Sequence, residues 1–183
     1  MESLYWQSDD LGVDKEKARY WLVKAAESNP KAMVSLALKY CVGKRTDEAL
    51  ALCIKAGDMS CGQTKVEADR LTAQIYGDMS FAGYDPEKQK AYLLKALNVK
   101  PVPTDNGFDD EYARAASLLR AWFQLKNTNS PSESNVKNAA YCAVIAAVLD
   151  RDYADRLSEF AIRQSQFDAW AVDARNYNFH LPC

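Results

Sequence analysis

The stretch Gly12-Val13-Asp14-Lys15-Glu16-Lys17-Ala18-Arg19-Tyr20-Trp21-Leu22-Val23-Lys24-Ala25-Ala26 decides how the chain is read. A turn leads into Asp14, a good N-cap, and Glu16 falls in the first turn, where the helix dipole favours negative charge. Ala18, Trp21, Leu22, Ala25 and Ala26 then recur at three- and four-residue steps, the spacing of one apolar helix face. Displaced by 71 residues, the stretch returns as Gly83-Tyr84-Asp85-Pro86-Glu87-Lys88-Gln89-Lys90-Ala91-Tyr92-Leu93-Leu94-Lys95-Ala96-Leu97. In this frame Tyr5 falls on Tyr76 and Trp21 on Tyr92. A weaker copy runs from Thr46 to Gly57. Half the offset is about 36 residues, a period typical of stacked helical hairpins.

The order Tyr, loop with Gly, Asp, Lys-Ala or Lys-Gln, then Trp/Tyr-Leu-x-Lys-Ala resembles the Sel1-like repeat family, relatives of the tetratricopeptide repeat. The resemblance covers about residues 1–99 and implies an all-α, short right-handed α/α solenoid of helix hairpins. Residues 100–183 then form a helical C-terminal extension that caps it, with about eight to nine helices overall in a single domain. It further implies a non-catalytic module that binds another protein. One bacterial version is an inhibitor or immunity protein for a secreted toxin, often periplasmic; an adaptor in signalling or envelope assembly fits equally. In the family the first helix of each pair lines the concave face. Carried over, this assigns Lys31, Ser35, Lys39, Glu67, Arg70 and Gln74 to partner binding; a solvated helix face is the competing reading of each.

Composition narrows the alternatives. Among 183 residues only seven are Gly and six Pro, which favours helices, and a net charge of −2 lacks the basic footprint of nucleic-acid binding. The longest apolar run, from Ala139 to Leu149, is shorter than the roughly 18 to 20 residues a membrane span needs and reads as a core helix. In the repeat frame Leu4 and Tyr5 belong to the last turn of a first helix, so half a repeat or a processed leader is expected upstream.

Five cysteines and one histidine, His180, form no zinc spacing. Cys53 and Cys61 flank Gly57, expected to end a helix, so a disulfide across that corner is reasonable; Cys142 and Cys183 offer a second pair. Cysteine-rich Sel1-like proteins staple neighbouring repeats with a Cys-x7-Cys pair, the spacing of Cys53 and Cys61. Oxidised cysteines would favour a periplasmic or secreted location. Five reduced cysteines, mostly small core residues, fit the sequence as well.

Along the chain, Asn29-Pro30 and Asp85-Pro86 are N-cap and first-turn proline signals. Helices are expected at 30–41, 46–57, 63–76, 86–98, 109–126, 134–149, 152–164 and 167–177. The prolines and Asn-Gly of residues 100–107 read as an extended loop, and residues 127–133 as the least ordered segment. His180 beside Pro182 makes no dyad. Asp109 with Asp110, and Asp152 with Asp155, sit at helix starts, where the dipole accounts for them. No catalytic, cofactor or metal residue is assigned. The repeating aromatics read as core, whereas Phe81, Tyr84, Trp122 and Trp170 lie outside the frame; Phe81 and Tyr84 join the partner-binding candidates. The alternative class is a small enzyme or ligand-binding domain, with Trp122, Tyr141, Trp170 and Tyr177 around a pocket in the C-terminal third.

Overall fold

The computed structural model describes residues 15–102, 105 and 107–182. The described residues are all-helical, without strands. In order they form α1 (Lys15–Ala25), α2 (Pro30–Val42), α3 (Thr46–Met59), α4 (Gly62–Tyr76) and α5 (Pro86–Leu97). Then come α6 (Phe108–Asn129), α7 (Glu133–Leu149), a 3-10 helix (Arg151–Glu159) and α8 (Gln164–Arg175). The expected upstream half-repeat, with Leu4 and Tyr5, lies outside the described residues.

Two helix starts follow directly from their sequence. The Asn29 side chain accepts from the backbone N–H of Lys31 at 2.9 Å, and that of Asp85 accepts from Lys88 at 2.9 Å. Each satisfies donors that a helix N-terminus leaves unpaired, and the proline that follows has none to lose.

Each α-helix packs on the next, and alternate helices also meet: α2 touches α4, and α4 touches α6. The apolar core has two clusters with α4 common to both. Ala68, Leu71 and Ile75 join α1 to α3 in one, while Val66 and Ala73 join α5 to α8 in the other. The second cluster runs through residue 99, since Leu93 and Leu97 of α5 pack with Phe108, Tyr112 and Leu119 of α6 and with Ile145 of α7. The run from Ala139 to Ala146 is buried throughout. Among the described residues no helix is long and apolar enough to cross a membrane.

Several expectations are corrected. Gly57 does not end its helix; α3 continues to Met59. The residue serves close approach instead, because a Cβ there would stand 2.9 Å from Asp69 Oδ1. Asp69 is buried between Lys65 (3.4 Å) and Lys95 (3.2 Å), and Lys65 also donates to the Gly57 carbonyl at 2.6 Å. The α3–α4 corner therefore falls beside Cys61, two turns beyond Cys53. The expected Cys53–Cys61 bridge is not formed: Cys53 is a buried free thiol, pushed up to about 12 by burial, and Cys61 an exposed one. Cys142 is a buried free thiol, and Cys183 lies outside the described residues.

Trp21 is 57% exposed, not core. The buried stripe of α1 is the narrower four-residue series Ala18 and Leu22, continued by Ala26 just past its end, and α1 packs on α2. At the matching repeat position Tyr92 is half-buried because Tyr76 stacks on it at 5.8 Å; Tyr5, the counterpart of Tyr76, lies outside the described residues.

The helix expected at 152–164 is a 3-10 helix without one buried residue. Tyr153, Leu157 and Phe160 are its few apolar anchors, too few to stabilise a full α-helix by packing. It is fastened to α6 through Glu159, which accepts from Arg120 at 3.1 Å and Gln124 at 2.8 Å. Residues 127–133 form the end of α6 and a tight turn. Asn127 accepts from the Ser132 N–H at 2.8 Å, and Ser132 caps α7 by accepting from Asn135.

A Gly57→Ala substitution normally gains helix propensity of about 0.5–1 kcal/mol. Here the Asp69 carboxylate is pinned and the new methyl has no room, so urea denaturation should show a lower midpoint than wild type; an unchanged or raised midpoint contradicts the close approach.

Candidate functional site

The helices that meet in alternation, α2, α4 and α6, carry a continuous polar strip. Lys31, Ser35 and Lys39 are exposed on α2, as the four-residue spacing on one face requires. Glu67, Arg70 and Gln74 follow on α4, then Glu111 and Arg114 on α6. Glu67 is the junction, within electrostatic reach of Lys31, Arg70, Glu111 and Arg114. Burial first, and Glu111 second, hold its carboxyl above the usual carboxylate range, against the opposing pull of the three cations.

At the centre of the strip is a buried charge network. Arg70 Nε donates to Glu111 Oε2 at 2.6 Å, and both residues are buried. Arg114 Nη1 donates to Glu111 Oε1 at 2.9 Å, so one carboxylate holds two guanidinium groups. Arg70 Nη1 also donates to Gln74 Oε1, one turn on. Breaking such a buried pair costs far more than an exposed one, because the remaining charge keeps its desolvation penalty. The strip ends in a pocket lined by Arg70, Gln74, Arg114, Ser117, Leu118 and Tyr153, the last contributed by the 3-10 helix.

The structure thus brings Lys31, Glu67, Arg70 and Gln74 onto one connected surface. Phe81 and Tyr84 stand apart, in the loop between α4 and α5. Phe81 is half-buried against the N-terminal core cluster, and Tyr84 is exposed. Trp122 is a packed residue, buried with its indole N–H donating to the Pro86 carbonyl at 2.8 Å. Tyr141 is fully buried, its hydroxyl donating to Asp173 and accepting from the His180 backbone N–H at 3.0 Å. Tyr177 donates its hydroxyl to Asp109 and packs edge-on against Phe108 and Tyr112. Trp170 lines a cavity about 430 Å3 in volume with Phe160, Ile162 and Arg163. Among the described residues no three His, Cys, Asp or Glu side chains converge as metal ligands.

Sequence reasoning missed Glu111, Arg114, Ser117 and Tyr153. A signal existed: Glu67-x-x-Arg70 recurs as Glu111-x-x-Arg114, the same charges at the same helical spacing on the next helix of the strip. Comparisons with protein-family models, curated proteins and solved structures found no match for this chain.

Glu67 supplies a pH test. Its raised pKa means the native chain binds a proton more readily than the unfolded one, so its contribution is most favourable below about pH 4, the unfolded value. That contribution is lost as pH rises through the higher folded value. Glu67→Gln should therefore raise the urea midpoint relative to wild type at pH 7, and the difference should shrink towards pH 4. A Gln variant less stable at pH 7 would show that Glu67 is held as a favourable ion.

Proposed function

We propose that the chain is a short solenoid of helix hairpins resembling Sel1-like repeats, and that it works as a non-catalytic protein-binding scaffold. The observation that carries this reading is the polar strip crossing α2, α4 and α6, with Lys31, Glu67, Arg70, Glu111 and Arg114 in electrostatic contact. Charges of both signs, held in register by a buried pair, suit recognition of a complementary protein surface, where they set orientation and exclude wrong partners. The 71-residue repeat and the contact between alternate helices support the stacked arrangement. The biological setting we favour is bacterial: inhibition of a partner, as by an immunity protein for a secreted toxin, or adaptor work in signalling or envelope assembly.

A second reading is ligand binding in the C-terminal third. It is favoured by one observation, the cavity between α7, residues 159–163 and α8, where Trp170, Phe160 and Ile162 supply apolar walls beside Glu133 and Arg163.

Capture from native extracts tests the first reading. Wild type should retain a specific protein that Lys31→Glu with Lys39→Glu releases, whereas Lys55→Glu, on an exposed position of α3 outside the strip, leaves capture intact. Equal capture by all three, or a small molecule that stabilises a chain capturing nothing, rejects the strip as the functional face.

A further inference from the structure

The pocket closing the strip, about 340 Å3, is walled almost wholly by polar groups, and Leu118 is its one aliphatic side chain. Two guanidinium groups face it. Arg70 is fixed: it is 7% exposed, and its Nε and Nη1 are committed to Glu111 and Gln74. Arg114 is less constrained, with about half its side chain exposed and only Nη1 hydrogen-bonded, to Glu111. A guanidinium has five N–H donors. Arg70 Nη2 and Arg114 Nε and Nη2 make no hydrogen bond to another described residue. Ser117 and Tyr153 add two hydroxyl-bearing side chains to the lining.

The charges define what fits. Counting Glu67, the three cations Lys31, Arg70 and Arg114 stand against two carboxylates, Glu67 and Glu111, which leaves a single positive charge unbalanced, and the pocket lining itself holds both arginines and no carboxylate. We propose that this pocket is a subsite for one carboxylate side chain, Asp or Glu, of the partner protein. The proposal rests on reading the strip as a protein-binding face. A carboxylate matches the planar fork of an arginine and carries the one negative charge the pocket lacks. A phosphate ester, mostly dianionic at neutral pH, would place its second charge beside Glu111 and Glu67. Glu111 acts as a positioning residue, spacing the two guanidinium groups so that Arg114 closes on the incoming carboxylate while Arg70 stays still. The pocket lies at the end of the strip that begins at Lys31, so a partner lying across α2, α4 and α6 reaches it with a side chain.

The test uses blocked amino acids as probes, N-acetylglutamate methylamide with its glutamine and phosphoserine counterparts, followed by NMR at the arginine Nε–Hε signals of the full chain. The glutamate probe should shift Arg70 and Arg114 saturably, and the glutamine probe should not. Arg114→Gln should weaken the glutamate response by about tenfold or more, and Arg114→Lys should restore part of it, with the thermal transition of each variant compared with wild type. No saturable response to glutamate, an equal response in Arg114→Gln, or phosphoserine binding tenfold tighter than glutamate overturns the proposal. The capture experiment separates the two readings. A partner released by the Lys31 and Lys39 reversals but held equally by Arg114→Gln leaves the face standing and removes the carboxylate subsite.

Discussion

The ion pair between Arg70 and Glu111 is the constraint on which the arrangement of helices turns. It joins α4 to α6 across a buried contact of 2.6 Å, and α4 is the helix common to both apolar clusters. Two charges removed from water tolerate little displacement, since each keeps its desolvation cost when the other moves away. Apolar packing is non-directional, and a hydrogen-bonded pair at the contact of α4 with α6 adds a directional preference for one register. Gln74 and Arg114 complete the network and carry it to the surface.

The same pair divides buried from exposed charge along the strip. Arg70 and Glu111 are buried and hydrogen-bonded to each other, whereas Lys31, Ser35, Lys39 and Arg114 are exposed. Glu67 lies between, partly desolvated and surrounded by charges of both signs. A second buried carboxylate, Asp69, works on the opposite side of α4, where Lys65 and Lys95 tie it to α3 and α5. α4 is therefore held by charge on two faces and by Val66, Leu71 and Ile75 within the cores, which fixes it at the centre of the polar strip.

Local sequence chemistry made much of the helical layout legible. Asn29-Pro30 and Asp85-Pro86 start α2 and α5 where their hydrogen-bonding logic places them, and the apolar run from Ala139 became a buried helix. What stayed hidden depended on neighbours far along the chain. Gly57 reads as a helix terminator in isolation, and only the approach of Asp69 gives it another purpose. Trp21 occupies a repeat position that is half-buried in the later copy because Tyr76 covers Tyr92 there; its own residue number carries no information about cover. The segment at 151–159 has helix-forming residues but little to bury, and a 3-10 helix pinned by Arg120 and Gln124 resulted. Of the polar strip, the α2 and α4 residues were legible from their three- and four-residue spacing on one helix face. The α6 half was not, because the prolines of residues 100–107 interrupt the repeat and conceal that Glu111 and Arg114 repeat Glu67 and Arg70.

The most direct measurement of the central claim is a double-mutant cycle on Arg70 and Glu111, read by urea denaturation with Arg70→Met, Glu111→Leu and the pair. Each single substitution leaves a buried charge without its main partner and should cost about 3–5 kcal/mol, while the apolar pair should recover most of that loss. Additive losses, or single variants as stable as wild type, would contradict the claim that this ion pair sets α4 against α6 and so builds the face.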